Sequence, residues 1–217
     1  MAYTTFFFDL DDTIYPPDSG LWQELTARMS SFIHERLNIP MELIPEMRKR
    51  LFSTYGTTMR GLMAEYDIDS IDFLQFVHNV PLENYIQPDP ETRRILLRFP
   101  QEKYIFTNAD AHHASRVLHY LGMDDLFAGI IDILAVAPYY KPQPEAFRIA
   151  LEKAGSVDPC CCIFLDDYPA NISTAREMGF YTIYVGNNGL DVDSHKKISN
   201  LNELEHLLPV INGSSIS

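Results

Sequence analysis

The strongest constraint on the fold is a short apolar run near the N-terminus that ends in carboxylates. Residues 5–14 read TFFFDLDDTI, so Asp9 and Asp11 come directly after three phenylalanines. The run is bounded by acidic and turn residues, which predicts a short buried strand. Ligands of open α/β sheets bind outside the carboxyl ends of the strands. Asp9 and Asp11 are therefore expected to share one crevice, although an isolated pair of this kind is also typical of a solvated acidic turn.

The second half of the chain alternates between strand and helix patterns. Predicted strands cover 103–106, 130–136, 160–165 and 181–185, and predicted helices cover 91–99, 111–121, 144–154 and 170–178. This alternation predicts an α/β fold, a Rossmann-like doubly wound parallel sheet with helices on both faces. A turn is expected at 186–189 and a frayed tail after Ile211.

The segment 16–88 interrupts this pattern directly after the first strand. It contains helical patterns and no strong strand; the patterns cover 21–37, a stretch from Pro40 or Pro45 toward Tyr55, 59–66 and 70–79. We therefore predict an all-helical cap at 16–88, inserted into a core formed by 1–15 and 89–217. A chain of 217 residues is long enough for such a domain and an inserted subdomain.

Charge restricts the partners. The chain has 17 basic and 30 acidic residues, a net charge of −13. That field repels nucleic-acid polymers and anionic membranes, so neither is an expected partner. It also repels a phosphorylated small molecule, so a site for one requires a metal ion or a local lysine. The oligomeric state is not indicated.

The N-terminal region and the cysteines indicate the cellular compartment in which the protein is expected. No basic region or long apolar stretch precedes the first strand, so we expect neither a signal peptide nor a membrane span. The three adjacent cysteines, Cys160 to Cys162, lead into an apolar run and are predicted to be buried thiols of a strand. Both features suit a reducing cytoplasm.

Polar residues of a useful kind follow the later strands as well. Thr107 and Asn108 follow one strand, Lys141 follows the next, and Asp166 and Asp167 follow another. Each has an ordinary interpretation taken alone: a helix cap, a solvated lysine, or an acidic cap of the next helix. Carboxyl ends of parallel strands meet at one edge of a sheet, and together with the first stretch these residues predict one site.

This order of residues resembles the four motifs of the haloacid dehalogenase superfamily, whose members are mostly phosphatases. The motif residues are Asp9 to Thr13, Thr107, Lys141, and the pair Asp166 and Asp167. The resemblance covers nearly the whole chain. One position departs from it: where many of these phosphatases have a second acid, this chain has Asn171. Its side-chain oxygen still suits an outer position, so metal binding is expected to persist.

The resemblance implies hydrolysis of a small-molecule phosphomonoester in two steps through a phospho-aspartyl intermediate. Asp9 is the implied nucleophile. Asp11 would protonate the leaving oxygen and then take a proton from the attacking water.

The resemblance also implies Mg²⁺, which prefers hard oxygen ligands. The implied ligands are Asp9, the backbone carbonyl of Asp11 and Asp167, with Asp166 as an outer or alternative ligand. Lys141 and Thr107 would stabilise the phosphoryl oxygens, and Asn108 is a further candidate for substrate binding.

Two related classes fit less well. Two-component receiver domains also use an aspartate, a metal, a threonine and a lysine, but in a different chain order. Haloacid dehalogenases proper work without a metal and lack the second aspartate, here Asp11. His112 and His113, at the start of the helix over 111–121, are interpreted as exposed helix residues.

The cap is where the substrate would be selected. Residues 55–62, YGTTMRGL, predict a tight break between two helices, from which Thr57, Thr58 and Arg60 could reach a polar substrate. An ordinary helix junction with a solvated arginine is equally compatible. With DLDDTIYP, IFTNAD and YKPQPEAF, this stretch is most similar to the pyrimidine 5′-nucleotidase branch, which implies UMP or CMP as substrate. A sugar-phosphate or phosphoglycolate phosphatase and a catalytically silent binding protein remain alternatives.

Overall fold

The computed structural model describes residues 3–186, 189–207 and 211. The strands are β1 (Thr5–Phe8), β2 (Glu102–Phe106), β3 (Gly129–Ile131), β4 (Cys162–Asp166), β5 (Tyr181–Val185) and β6 (Lys196–Ile198). The α-helices are α1 (Leu21–Leu37), α2 (Ile44–Tyr55), α3 (Thr58–Tyr66), α4 (Ser70–His78), α5 (Pro90–Leu96), α6 (Ala111–Leu121), α7 (Pro144–Lys153) and α8 (Pro169–Glu177). Short 3₁₀ helices cover Pro17–Ser19, Met41–Leu43, Leu82–Asn84, Asp124–Leu126, Pro159–Cys161 and Leu201–Leu207.

All six described strands form one parallel sheet, in the order β3-β2-β1-β4-β5-β6. The first strand is central, with Phe8 paired to Ile105 on one side and to Leu165 on the other. The chain turns to one side of β1 for β2 and β3 and to the other side for β4 to β6. This is the doubly wound order with its switch point beside β1, and the predicted fold class is confirmed.

Phenylalanine side chains pack on both faces of the central strand. On one face Phe7 lies in a cluster with Phe106, Phe147, Phe164 and Phe180, whose neighbouring ring centroids are 5.1 to 6.3 Å apart. On the other face Phe6 and Phe8 stack on each other and contact Phe99 and Phe127. A parallel strand covered on both faces has a continuous apolar sequence rather than an alternating one. Burial of each such side chain contributes about 1.5–3 kcal/mol.

The chain divides into two compact units, Ser19–Tyr85 and the remainder. The predicted boundaries lay three residues away on either side, and the four predicted helices of this segment are present as α1 to α4. Within the smaller unit Phe32 packs edge-on against Phe73, with ring centroids 5.1 Å apart. Gly61 of α3 lies so close to α2 that a Cβ there would be 2.7 Å from the side chain of Leu51. That the unit acts as a cap remains a prediction.

The structure corrects the strand predicted over 130–136. The strand β3 ends at Ile131, because Asp132 turns the chain. Its carboxylate accepts the backbone N–H of Ala135 at 2.7 Å and that of Ala111 at 2.9 Å.

The prediction of three buried cysteines was also wrong. Only Cys162 is buried, because Asp158 caps a 3₁₀ turn that leaves Cys160 exposed. The strand β6 had no sequence signal, since two of its three residues are lysines.

Two further predictions fall on residues that the structure does not fully describe. The turn at 186–189 and the tail after Ile211 lie partly or wholly outside them. Among the residues that are described, no helix is long and apolar enough to cross a membrane.

Candidate active site

The carboxyl ends of β1 and β4 bring the first acidic residues of the site together. Asp9 follows β1, and its backbone N–H donates to the carbonyl of Leu165 at 2.8 Å. Asp166 is the last residue of β4. The two strands are adjacent and in register, so side chains just beyond them share the crevice at the switch point.

Lys141 connects these two carboxylates. Its Nζ donates to Asp9 Oδ1 and to Asp166 Oδ2, both at 2.7 Å, and the residue is only 2% exposed. The ammonium also lies 5.2 and 5.5 Å from the ring centroids of Phe106 and Phe164. Burial alone lowers the pKa of Lys141, but the two carboxylates outweigh it and raise that pKa, so the lysine stays charged.

Asn108 holds the backbone of Lys141. Its side-chain N–H donates to the Lys141 carbonyl, and its side-chain oxygen accepts the Lys141 N–H, each at 2.9 Å. Both ends of this amide position the lysine. Substrate binding by Asn108 stays a prediction. Thr107 lies at the end of β2 and is 1% exposed. Its Oγ1 accepts the N–H of Ala109 at 2.9 Å, and that bond leaves the hydroxyl proton available for donation.

The Asp166 carboxylate accepts hydrogen bonds from Lys141, Tyr168 and Asn171. It accepts the N–H of Tyr168 at 2.8 Å and the side-chain N–H₂ of Asn171 at 3.0 and 2.9 Å. The sequence had predicted a role for the Asn171 oxygen, but the group that faces Asp166 is the amide nitrogen. A second acid at this position would repel Asp166, so the departure from the family pattern suits this network.

Three carboxylates lie where a cation can reach them. Oxygen atoms of Asp9, Asp166 and Asp167 are all within 4.8 Å of one another. Lys141 pairs with Asp9 and Asp166, so ionisation of all three carboxylates leaves an excess of two negative charges over its ammonium. Burial raises the pKa of Asp9 to about 7 despite the lysine, and burial with the charge of Asp9 raises the pKa of Asp167 to about 9. An all-oxygen donor set with this excess charge fits Mg²⁺.

The side chain of Asp11 has different partners. Its Oδ1 accepts the hydroxyl of Tyr15 at 2.6 Å and lies 3.0 Å from Nε2 of His113. Its side chain is therefore not in the carboxylate group that faces Lys141, and its backbone carbonyl is the part left as a candidate metal ligand.

His113 is the residue that the sequence interpretation missed. His112 is exposed as predicted, but His113 is 0% exposed, so that prediction was wrong. The signal was the phase of α6: His113 precedes the buried Val117 by four residues, which puts both on one helix face.

Comparison with known proteins identifies the family. The sequence profile of the haloacid dehalogenase-like hydrolases matches residues 3–179. This chain belongs to that family. The resemblance seen in the motifs is thereby confirmed.

The individual relatives that match this chain have low sequence identity to it. Phosphate metabolism protein 8 of Saccharomyces cerevisiae is 28% identical over 192 residues, which cover 82% of this chain and 60% of the relative. Among solved structures, β-phosphoglucomutase from Clostridium difficile is 20% identical with a TM-score of 0.66, and the match covers both chains completely. A magnesium-bound putative hydrolase of the family, YfnB from Bacillus subtilis, is 20% identical with a TM-score of 0.62, over 96% of this chain and 99% of that one. Haloacid dehalogenases share the fold too, so the fold alone does not decide the reaction.

The candidate substrate residues of the helical unit lie at the start of α3. Thr57 is the N-cap of α3, and its Oγ1 accepts the N–H of Arg60 at 3.1 Å. Thr58 is buried, and Arg60 is half-buried. The capping bond of Thr57 is what an ordinary helix junction requires. Substrate contacts of Thr57 and Arg60 remain predictions.

Proposed function

We propose that this member of the family is a Mg²⁺-dependent phosphomonoester hydrolase that works through a phospho-aspartyl intermediate on Asp9. The observation that carries the proposal is the setting of Asp9. Asp9 directly follows the central strand, and its carboxylate lies 2.7 Å from the ammonium of a buried lysine and within a group of three carboxylates. A nucleophile for a phosphate dianion needs compensating positive charge beside it, and this arrangement suits that need.

The reaction runs in two balanced steps. In the first, a carboxylate oxygen of Asp9 bonds to phosphorus, the bond from phosphorus to the leaving oxygen breaks, and Asp11 gives that oxygen a proton. In the second, water attacks phosphorus and Asp11 takes its proton, which releases phosphate and restores Asp9. Lys141 and the hydroxyl of Thr107 bind the phosphoryl oxygens in both steps.

Bound Mg²⁺ would supply positive charge that offsets the repulsion between the carboxylates and the phosphate dianion. Asp9, Asp167 and the backbone carbonyl of Asp11 would hold it, with Asp166 kept in place by Lys141 and Asn171. The raised pKa values of Asp9 and Asp167 support this assignment, because a cation favours the ionised form of both groups. Asp11 supports the hydrolysis of a phosphate ester over dehalogenation, because a halide leaves as the anion and needs no proton donor.

The proposed substrate is a pyrimidine nucleoside 5′-monophosphate, UMP or CMP, selected by the helical unit 19–85. The support is the similarity of four stretches of sequence to the nucleotidase branch, among them the start of α3. The acidic charge of the chain supports a small substrate rather than a nucleic-acid polymer.

A substrate panel tests the proposal. Phosphate release is measured with Mg²⁺ for UMP, CMP, AMP, phosphoglycolate and several sugar phosphates. Selective release from UMP and CMP is the expected result. Preference for a sugar phosphate or phosphoglycolate would keep the reaction and overturn the nucleotidase assignment. Absence of release from every ester, together with no effect of Mg²⁺ on the melting temperature, would favour the silent binding protein.

Arg60→Ala tests the role of the helical unit. We expect kcat/KM for UMP to fall roughly 10- to 100-fold, the value of a charge-assisted hydrogen bond, and kcat/KM for a small aryl phosphate to change much less. Arg50→Ala is the matched control, since Arg50 is an arginine of the same unit outside the stretch 55–62 and pairs with Glu65 at 2.5 Å. Equal losses for the nucleotide and the aryl phosphate would remove Arg60 from the substrate site.

A further inference from the structure

Two buried side chains converge on one oxygen of Asp11. The Tyr15 hydroxyl donates to Oδ1 at 2.6 Å, and Nε2 of His113 lies 3.0 Å from the same atom. His113 is 0% exposed and Tyr15 is buried, while the Asp11 side chain keeps 13% of its surface exposed. The carboxylate is therefore held from the protein side and still open toward solvent.

Local backbone structure brings Tyr15 to Asp11. After β1 the chain makes a single turn, closed by the N–H of Ile14, which donates to the carbonyl of Leu10 at 2.9 Å. Residues four apart lie on the same side of such a turn, so Tyr15 faces back to Asp11. A phenolic hydroxyl carries its proton at neutral pH, so Tyr15 is the donor of this bond.

A separate element brings His113 to the same oxygen. Asp110 is the N-cap of α6 and accepts the backbone N–H of His113 at 2.9 Å. Asp132 accepts the N–H of Ala111 at 2.9 Å, so the first turn of α6 is fixed at two points. A histidine placed this way meets Asp11 with Nε2. An ionised carboxylate only accepts hydrogen bonds, so Nε2 carries the proton of this contact and donates it to Asp11 Oδ1.

We propose that Tyr15 and His113 are positioning residues that together hold the Asp11 carboxylate in the orientation required for proton transfer. The inference rests on the proposed function, in which Asp11 is the acid and base. Two donors on one oxygen resist rotation of the carboxylate about the Cβ–Cγ bond. Efficient transfer needs the carboxyl group within hydrogen-bond reach of the leaving oxygen. A freely rotating Asp11 would spend less time in that position, and the rate of proton transfer would fall.

The test separates protonation of the leaving group from the rest of the reaction. Rates of the first turnover are measured for phenyl phosphate, whose leaving oxygen needs a proton, and for 2,4-dinitrophenyl phosphate, whose leaving group departs as the anion. For His113→Leu we expect a loss of about 10- to 100-fold with phenyl phosphate, less than the roughly 10²- to 10⁴-fold of acid catalysis because Asp11 itself is retained. With the dinitrophenyl ester we expect a loss of less than about threefold. His113→Gln keeps a side-chain N–H and is expected to recover most of the lost rate.

Tyr15→Phe keeps the ring and removes only the hydroxyl. It is expected to show the same dependence on the leaving group, which decides the question if His113→Leu fails to fold. Equal losses for both esters, or no recovery with His113→Gln, would make the two residues packing elements and overturn the inference. In the background of Asp11→Asn the His113→Leu change should have little further effect, since both act through one carboxylate. Failure of the proposed function is seen separately, as no first turnover of either ester by the wild-type protein.

Discussion

Asp9→Asn is expected to abolish turnover and to leave the fold intact. An amide oxygen cannot displace the leaving group to form an acyl phosphate, so the loss should reach at least about 10⁴-fold, as for other covalent nucleophiles. The change is nearly isosteric, and the asparagine oxygen can still accept from Lys141. Lys141 also keeps its second partner, Asp166, at 2.7 Å. Since burial already raises the pKa of Asp9 to about 7, loss of its charge should cost little stability near neutral pH.

Asp12→Asn is the matched control for this prediction. Asp12 lies in the same stretch and also has a carboxylate of raised pKa, but it is outside the group of three that could bind a cation. Its φ of 59° is a conformation that asparagine adopts readily. We expect this variant to keep activity within about tenfold of wild type, because it changes only a nearby charge. Phosphate release from UMP and a thermal melt are measured for both. A wild-type rate in Asp9→Asn would refute the nucleophile assignment.

The parts of the site that could be predicted are those set by the strands themselves. Asp9, Thr107 and Asp166 each directly follow or end a strand, and parallel strands put their carboxyl ends at one edge. Knowing the strands was enough to bring these residues together. Lys141 needed the motif as well, because β3 ends at Ile131 and the following loop decides where a lysine ten residues later lies.

The parts that could not be predicted depend on partners from distant segments. Asn108 binds the backbone of Lys141, a contact over 33 residues that nothing near Asn108 in the sequence indicates. His113 reaches Asp11 over 102 residues. A polar residue on a buried helix face has its role decided by what it meets across the core, and a single sequence does not contain that information.

Removing Mg²⁺ is expected to abolish activity and to make the stability of the protein depend on pH. The loss of a cation that stabilises developing charge corresponds to about 10³-fold or more in rate. Without the cation, Asp9, Asp12 and Asp167 have folded-state pKa values of about 7, 6 and 9, each raised mainly by burial above the value of an unfolded aspartate. The contribution of such groups to stability is fully present below the unfolded pKa and is lost as pH rises through the folded pKa. The melting temperature of the metal-free protein should therefore fall between about pH 5 and about pH 9.

Mg²⁺ binds the ionised carboxylates, so its stabilising effect should have the opposite pH dependence. At a hundredfold excess over Kd it adds about 2.7 kcal/mol, or roughly 5–10 °C in melting temperature for a chain of this size. We expect most of that rise at about pH 8.5 and little at about pH 5.5, where protons compete for Asp9 and Asp167.

Asp167→Asn is the variant that isolates the effect: it should weaken the Mg²⁺-dependent rise and flatten the pH dependence of the metal-free melt. Equal melting temperatures with Mg²⁺ and with EDTA, together with full turnover in EDTA, would mean that these carboxylates hold no metal in the reaction. The excess negative charge around Lys141 would then have to be neutralised by protons, a state in which Asp9 is a poor nucleophile.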